Sequence, residues 1–381
     1  MQKFQNSLSI TKTNKKPYSG MTIPEIAEEL DAVSAGEKIP PYRSKQIFTQ
    51  IKQGARNFRE MTCLPKDLIK TLENHSIIIG SKPKKKYFDK DGTIKLVMEL
   101  SDGALIETVL LASIPENKLK TDSLKKTHYT ACLSTQAGCP IGCIFCKTGS
   151  MGFIRNLKPS EIIEQFLLLT DELRKTSKDC RISNVVVMGM GEPMLNLNAL
   201  RKALEILCDP AGFCLSKRKI TVSTVGICYG IADMAINGPE TKLAVSIASA
   251  REKLRERLMP GIIKYPLPQL KETISQYQKK QKRRITIETV LLREINTGQE
   301  DARALIDFCL NLDIAVNLIP WNPAEELYFE GKKLRQPTPE EVKKFAGMLE
   351  KGGLTVTQRY RRGRGVSGAC GQLGTQLDSP L

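Results

Sequence analysis

The apolar positions along the chain change period twice. Between residues 21 and 82 they recur at helical spacing. Pro41-Tyr42-Arg43-Ser44 opens a run through Gln46, Ile47, Gln50 and Ile51, and Leu68, Ile69 and Leu72 share a face after Pro65, so a small helical domain is expected here. Over residues 83–127 the pattern becomes strand-like. Lys95–Glu99 and Ala104–Leu111 flank Ser101-Asp102-Gly103, a turn sequence, and predict a β-hairpin linker. From residue 128 to 353 short apolar runs alternate with amphipathic ones. Tyr129–Ser134, Val185–Met190, Ile220–Val225, Leu243–Ala248, Ile285–Leu292 and Ile314–Trp321 predict strands; Ser160–Lys175, Leu197–Leu207 and Glu300–Asn311 predict helices between them. Strands this apolar are buried on both faces, as in parallel sheets joined by crossover helices. Six strand–helix units fall short of a closed eightfold barrel. The expected class is therefore α/β: a partly open (β/α)6 barrel with an N-terminal helical accessory domain and a hairpin linker. Leu354–Tyr360 predicts one more strand, beginning a strand-and-tail segment over 354–381, and residues 1–20 read as a flexible arm.

Composition narrows the setting. No stretch of the 381 residues reaches membrane-span length, and the polar N-terminus lacks the apolar core of a signal peptide. A cytoplasmic, reducing compartment is expected, in which the eleven cysteines need not pair. The net charge of +17, from 58 Lys and Arg against 41 Asp and Glu, favours a nucleic acid partner over a membrane. Basic runs recur along the chain: Lys82, Lys84, Lys85, Lys86; Lys217, Arg218, Lys219; Lys279, Lys280, Lys282, Arg283, Arg284; and Arg359, Arg361, Arg362, Arg364.

The sharpest chemical signal is Gly138-Cys139-Pro140-Ile141-Gly142-Cys143-Ile144-Phe145-Cys146. Its C-x3-C-x2-C spacing supplies three thiolates, enough for three irons of a 4Fe-4S cube, with the fourth iron left to bind the amino and carboxylate groups of S-adenosylmethionine. A zinc knuckle, the alternative, wants a fourth Cys or His at short range, and none follows within thirty residues. The motif follows the first core strand, on the loop that in parallel barrels forms the functional end. Gly191 and Glu192 after the second strand, Ser223 near the end of the third, Ser246 in the fourth and Asn322 after the sixth fall on the same rim.

The runs Cys132–Cys139 and Phe153–Leu157, Met188–Met194, Asn317–Pro323 and Ala369-Cys370-Gly371-Gln372-Leu373 resemble the RlmN/Cfr family of radical S-adenosylmethionine RNA methyltransferases, over about residues 24–373. The resemblance implies methylation of carbon 2 or carbon 8 of an RNA adenine, with two S-adenosylmethionine molecules per turnover. In the family a tail cysteine, matching Cys370, is methylated first. A second cysteine, matching Cys132, then resolves the thioether as a disulfide, and a glutamate matching Glu107 accepts the ring-carbon proton. Cofactor contacts carry over to Gly191, Glu192, Ser223, Ser246, Ile247, Ala248 and Asn322, and cluster ligation to Cys139, Cys143 and Cys146. The implied partners are ribosomal RNA and tRNA, gripped by the accessory domain over 21–82, and a low-potential electron donor such as flavodoxin or ferredoxin, with a monomeric enzyme and no membrane. Two departures stand out. The family has Ser-Leu-His where this chain has Ser246-Ile247-Ala248, and acidic residues where this chain has Arg364–Gly368. The adenine-C2 enzyme on 23S ribosomal RNA and tRNA is the leading expectation. Its alternatives are the adenine-C8 enzyme of antibiotic resistance, a radical maturase acting on protein, and a non-enzymatic RNA-binding cluster protein.

Overall fold

A computed structural model describes residues 15–34, 39–112, 128–176, 180–323, 327–358, 363–374 and 377. Residues 1–14 of the arm, 113–127 of the linker, and Arg359, Arg361 and Arg362 lie outside the described residues.

One ten-stranded sheet organises the chain. Its strands, in chain order, are β1 (Lys82–Phe88), β2 (Ile94–Glu99), β3 (Leu105–Ala112), β4 (His128–Cys132), β5 (Arg181–Val187), β6 (Ile220–Thr224), β7 (Lys242–Ser246), β8 (Ile285–Leu291), β9 (Ile314–Pro320) and β10 (Thr355–Gln358). Each pairs with its sequence neighbours, so spatial order follows chain order. β4 to β10 run parallel, while β1 to β4 are antiparallel. The parallel half has the expected crossover helices: Pro159–Thr176, Leu197–Cys208, Cys228–Asn237, Leu267–Gln281, Gln299–Cys309 and Pro339–Lys351. Thr338 caps the last of these in a capping box with Glu341.

The hairpin is not a linker. β2 and β3 are buried along nearly their whole length and extend the barrel sheet without a break. Two buried faces need cover on both sides. The Pro159–Thr176 helix packs against β2 and β3. Residues 363–374 also bind back to this end of the sheet, through Asp89, Asp91, Lys95 and Glu107. The first basic run is itself the edge strand β1. Its charge is largely engaged: Lys82 and Lys84 lie 3.0 and 3.3 Å from Glu99, and Lys86 lies 2.7 Å from Glu172. Lysines on an edge strand also discourage pairing with another chain.

The helical module is built from Ile23–Val33, Tyr42–Gln53 and Lys66–His75. Thr22 and Glu25 cap the first helix reciprocally. Ile26, Leu30, Ile47, Ile51 and Leu72 form its core. The buried Glu164 of the Pro159–Thr176 helix fastens the module down. It accepts from Ser19 Oγ at 2.8 Å and from the Gly80 and Ser81 N–H groups at 2.9 Å each. Arg56 adds a bidentate pair to Asp171, both bonds 2.7 Å. Among the described residues no helix is long and apolar enough to cross a membrane.

Candidate active site

The three motif cysteines lie on the loop after β4, stiffened by a ribbon of Gln136–Gly138 with Phe153–Asn156. The loop is pinned from three directions. The Ile144 N–H donates to Leu258 O at 3.0 Å, Trp321 Nε1–H to Phe145 O at 2.9 Å, and the Lys147 N–H to Gly371 O at 2.9 Å. The last contact, with Thr148 Oγ1 donating to Leu373 O at 2.7 Å, ties the cysteine loop to the segment that carries Cys370.

Cys139, Cys143 and Cys146 share the wall of a cavity of about 170 Å³ with Gly191, Glu192, Ser223, Ser246, Asn322 and Cys370. Burial pushes the Cys139 thiol up to about 12 and raises Cys143 and Cys146; neighbouring negative charge adds to the rise at all three, from Glu192 at Cys139 and Cys143 and from Cys370 at Cys146. Three buried sulfurs that resist ionising together are a donor set that calls for a polycationic partner, and an iron–sulfur cluster is one. Among the described residues no three His, Cys, Asp or Glu side chains close around a single ion. The three cysteines all line the wall of this one cavity.

Backbone geometry sets the opposite wall. Gly191 has φ +100°, and a Cβ there would sit 2.5 Å from the Gln136 side chain, so glycine is required. Gln136 Oε1 accepts the Glu192 N–H at 2.8 Å and fixes that turn. Glu192 accepts from the Met194 and Val225 N–H groups at 3.0 and 2.9 Å, and burial raises its carboxyl to about 7. Ser223 Oγ lies 3.1 Å from Glu288 Oε2, and Asn317 Nδ2 lies 3.3 Å from Glu288 Oε1. Glu288 lines the same cavity and was not among the residues expected from sequence. Its signal was an acid alone in the apolar run Ile285–Leu292.

Ile247 and Ala248 do not line this cavity; both are fully buried. Ala248 takes a left-handed conformation, φ +55°, and its carbonyl accepts from Asn296 Nδ2 at 2.7 Å. That turn carries the chain away from the rim just after Ser246, where the family's imidazole is missing.

A second cavity, of about 520 Å³, fills the barrel interior. Cys132 and Cys370 both line it, and Met188, Ile319, Asn322 and Cys370 belong to the walls of both cavities. Cys370 thus stands at the divide, its carbonyl accepting from Asn322 Nδ2 at 3.1 Å. Glu107 lines neither cavity. It is sealed against Lys95, with Oε2 3.2 Å from Lys95 Nζ and 2.9 Å from the Gly374 N–H, and neither side chain is exposed. Lys95 Nζ also donates to Ser367 O at 3.2 Å. Burial pulls the Lys95 ammonium below its ordinary value and the facing carboxylate opposes this. No cysteine is in a disulfide.

Comparison with known proteins agrees with this geometry. Residues 133–309 match the radical SAM superfamily. The chain is 46% identical over 334 residues to a protein of Treponema denticola named probable dual-specificity RNA methyltransferase RlmN, covering 88% of this chain and 90% of that one. It is 41% identical over 351 residues to the protein of the same name from Treponema pallidum, covering 92% and 96%. A crystal structure of a radical SAM methyltransferase from Sphaerobacter thermophilus superposes with a TM-score of 0.86 at 33% identity, covering 95% of this chain and all of that one.

Proposed function

The chain belongs to the RlmN family of radical SAM RNA methyltransferases, and from that membership we propose that it methylates carbon 2 of adenine in 23S ribosomal RNA and in tRNA beside the anticodon, through an S-methyl group on Cys370. The observation that carries this reading is the place of Cys370 in the wall between the cavity of motif cysteines and the cavity of Cys132. An acceptor that takes a methyl group on one side and hands it to a base on the other belongs at such a divide.

Carbon 2 of adenine is a poor nucleophile, so transfer from a sulfonium has nothing to attack it. When bound, a 4Fe-4S cluster on Cys139, Cys143 and Cys146 and two S-adenosylmethionine molecules per turnover supply the methyl group, the electron and the radical that takes one hydrogen from methylated Cys370. Gly191, Glu192, Ser223, Ser246 and Asn322 form the cofactor wall, with Glu192 and Glu288 placed to accept from its ammonium group. The Cys370 methylene would bond to the ring carbon, and the adduct would give up one electron and the ring-carbon hydrogen as a proton. Cys132, as thiolate, would then attack the Cys370 sulfur to form a disulfide, while the methylene carbon keeps the electron pair of the broken carbon–sulfur bond and takes up a proton to become the methyl group. Glu107 in this arrangement holds the acceptor segment in place through Gly374; service as proton acceptor requires that segment to move. A flavodoxin- or ferredoxin-type protein as electron donor, a monomeric state and a cytoplasmic location complete the reading.

Nucleoside mass spectrometry of RNA from cells with and without the protein tests it. 2-Methyladenosine should disappear with the protein; loss of 8-methyladenosine instead would replace carbon 2 by carbon 8. Cys370→Ala should yield no methylated protein. Cys132→Ala should accumulate a covalent protein–RNA adduct, and normal turnover by either variant would refute the two-cysteine route.

A further inference from the structure

The barrel interior is hollow, with Thr130, Asn184, Thr221, Lys242 and Asn317 set among apolar lining residues, where a closed parallel barrel would be filled with branched apolar side chains. Alternate residues face it: Asn184 and Val186 from β5 with Met188 just after it, and Lys242 from β7 beside Thr221 of β6. The hollow therefore runs along the strands. From Asn184 to Met188 it spans four residues, roughly 13 Å at strand rise, about the reach of an extended nucleotide from phosphate to the far edge of its base. At the inner end stand Cys132 and Cys370. At the outer end, where the parallel strands begin, stand Lys219 and Lys242. A third cavity of about 500 Å³ adjoins there, sharing Asn184 and Lys219 and adding Arg181.

The charge on this end is one-sided. Among the described residues lining these two cavities there is no Asp or Glu. Arg181, Lys219 and Lys242 are exposed and have no ion-pair partner among the described residues, whereas nearby Lys217 lies 3.3 Å from Glu240. Cations with no acid among the described lining of a concave, low-dielectric mouth focus a positive field on whatever enters. The opposite end of the barrel is covered by the cysteine loop, Trp321 and the acceptor segment, and its cavity carries Glu192 and Glu288.

We propose that the RNA enters the barrel from the end where the parallel strands begin, with Lys219 and Lys242 holding the phosphates beside the flipped adenosine and Arg181 the next phosphate outward. The proposal rests on the RNA-methylating reading above and adds the direction of entry and the residues that grip the strand. Extruding a base costs a few kcal/mol, and phosphate contacts beside the extruded nucleotide are where that cost is offset.

The test uses the full-length, cluster-loaded protein and a tRNA transcript. Lys219→Glu with Lys242→Glu should weaken tRNA binding at least tenfold and reduce the log–log salt slope by about 2, one unit for each lost phosphate contact. Lys219→Gln with Lys242→Gln should move both in the same direction by less. Iron content and methylation of Cys370, read by mass spectrometry of the protein, should stay at wild-type levels. Lys343→Glu with Lys344→Glu, on the outer Pro339–Lys351 helix, serves as control and should leave binding within twofold. Wild-type affinity and slope in the Lys219/Lys242 variants, or an equal loss in the control, would overturn the proposal. A wild-type protein that binds tRNA and methylates no RNA would instead remove the reading on which it rests, and the salt slopes would still decide the entry end.

Discussion

The two cavities that meet at Cys370 are built by the same strands yet carry opposite charge. β7 contributes Lys242 to one and Ser246 to the other; β6 contributes Thr221 and Ser223. Toward the strand ends lie Glu192 and Glu288, beside the three motif cysteines. Toward the strand starts lie lysines and no acid among the described lining. Because a strand shows every second residue to the interior, its length becomes an axis along which charge can be graded. On the proposed route a cationic cofactor and a polyanionic substrate are thereby sorted to opposite sides of one thiol.

The largest effect that separates the two cavities comes from Cys139→Ala with Cys143→Ala and Cys146→Ala. Anaerobic reconstitution should drop from about four irons per chain to none, and cofactor cleavage should fall to background, while tRNA affinity stays within twofold. Uptake of zinc in place of iron by the wild-type protein would break the contrast. Next comes the tether behind Cys370. Lys95→Met leaves Glu107 buried without its cation and should cost about 3–5 kcal/mol in chemical denaturation. Lys95→Met with Glu107→Leu should recover most of that stability and still impair methylation of Cys370, because the Gly374 anchor is gone. A fully stable Lys95→Met variant would show that the pair does not hold the segment. The smallest effect is expected at the edge strand. Lys82 and Lys84 form exposed pairs with Glu99, worth about 0–1 kcal/mol. Reversing both should change tRNA affinity less than twofold, and a tenfold loss there would extend the RNA surface to β1.

The parallel half of the molecule was legible because its core strands are short apolar runs flanked by amphipathic ones. The predicted strand Ile285–Leu292 differs from the observed β8 by one residue at one end. The cysteine motif was legible from its spacing alone. What escaped local pattern were features decided by distant partners. The run Lys82–Phe88 shows in sequence only as a basic cluster with a proline, yet it pairs as the edge strand of the main sheet. Lys95 and Glu107 are charges inside apolar strands, and nothing nearby in sequence shows that residues 363–374 will cover them. Ile247 and Ala248 were carried over with Ser246 from the family resemblance, and the turn that buries them was not visible there, since a positive φ at an alanine leaves no compositional trace.

Residues 363–374 reach back across almost the whole chain. The Gly363 N–H meets Asp91, the Gly365 N–H meets Asp89 and the Gly374 N–H meets Glu107, at separations of 272, 276 and 267 residues. Closing a loop of that size adds little entropy cost per added residue, but it cannot begin before its far end exists. A nascent chain therefore acquires its cluster-binding loop and most of its barrel while the acceptor thiol is still unsynthesised. If Cys370 is the methyl carrier, as proposed, radical chemistry and its carrier are separated in time during biosynthesis, and a polypeptide cut short before residue 363 keeps the cysteines of one and has no carrier for the other.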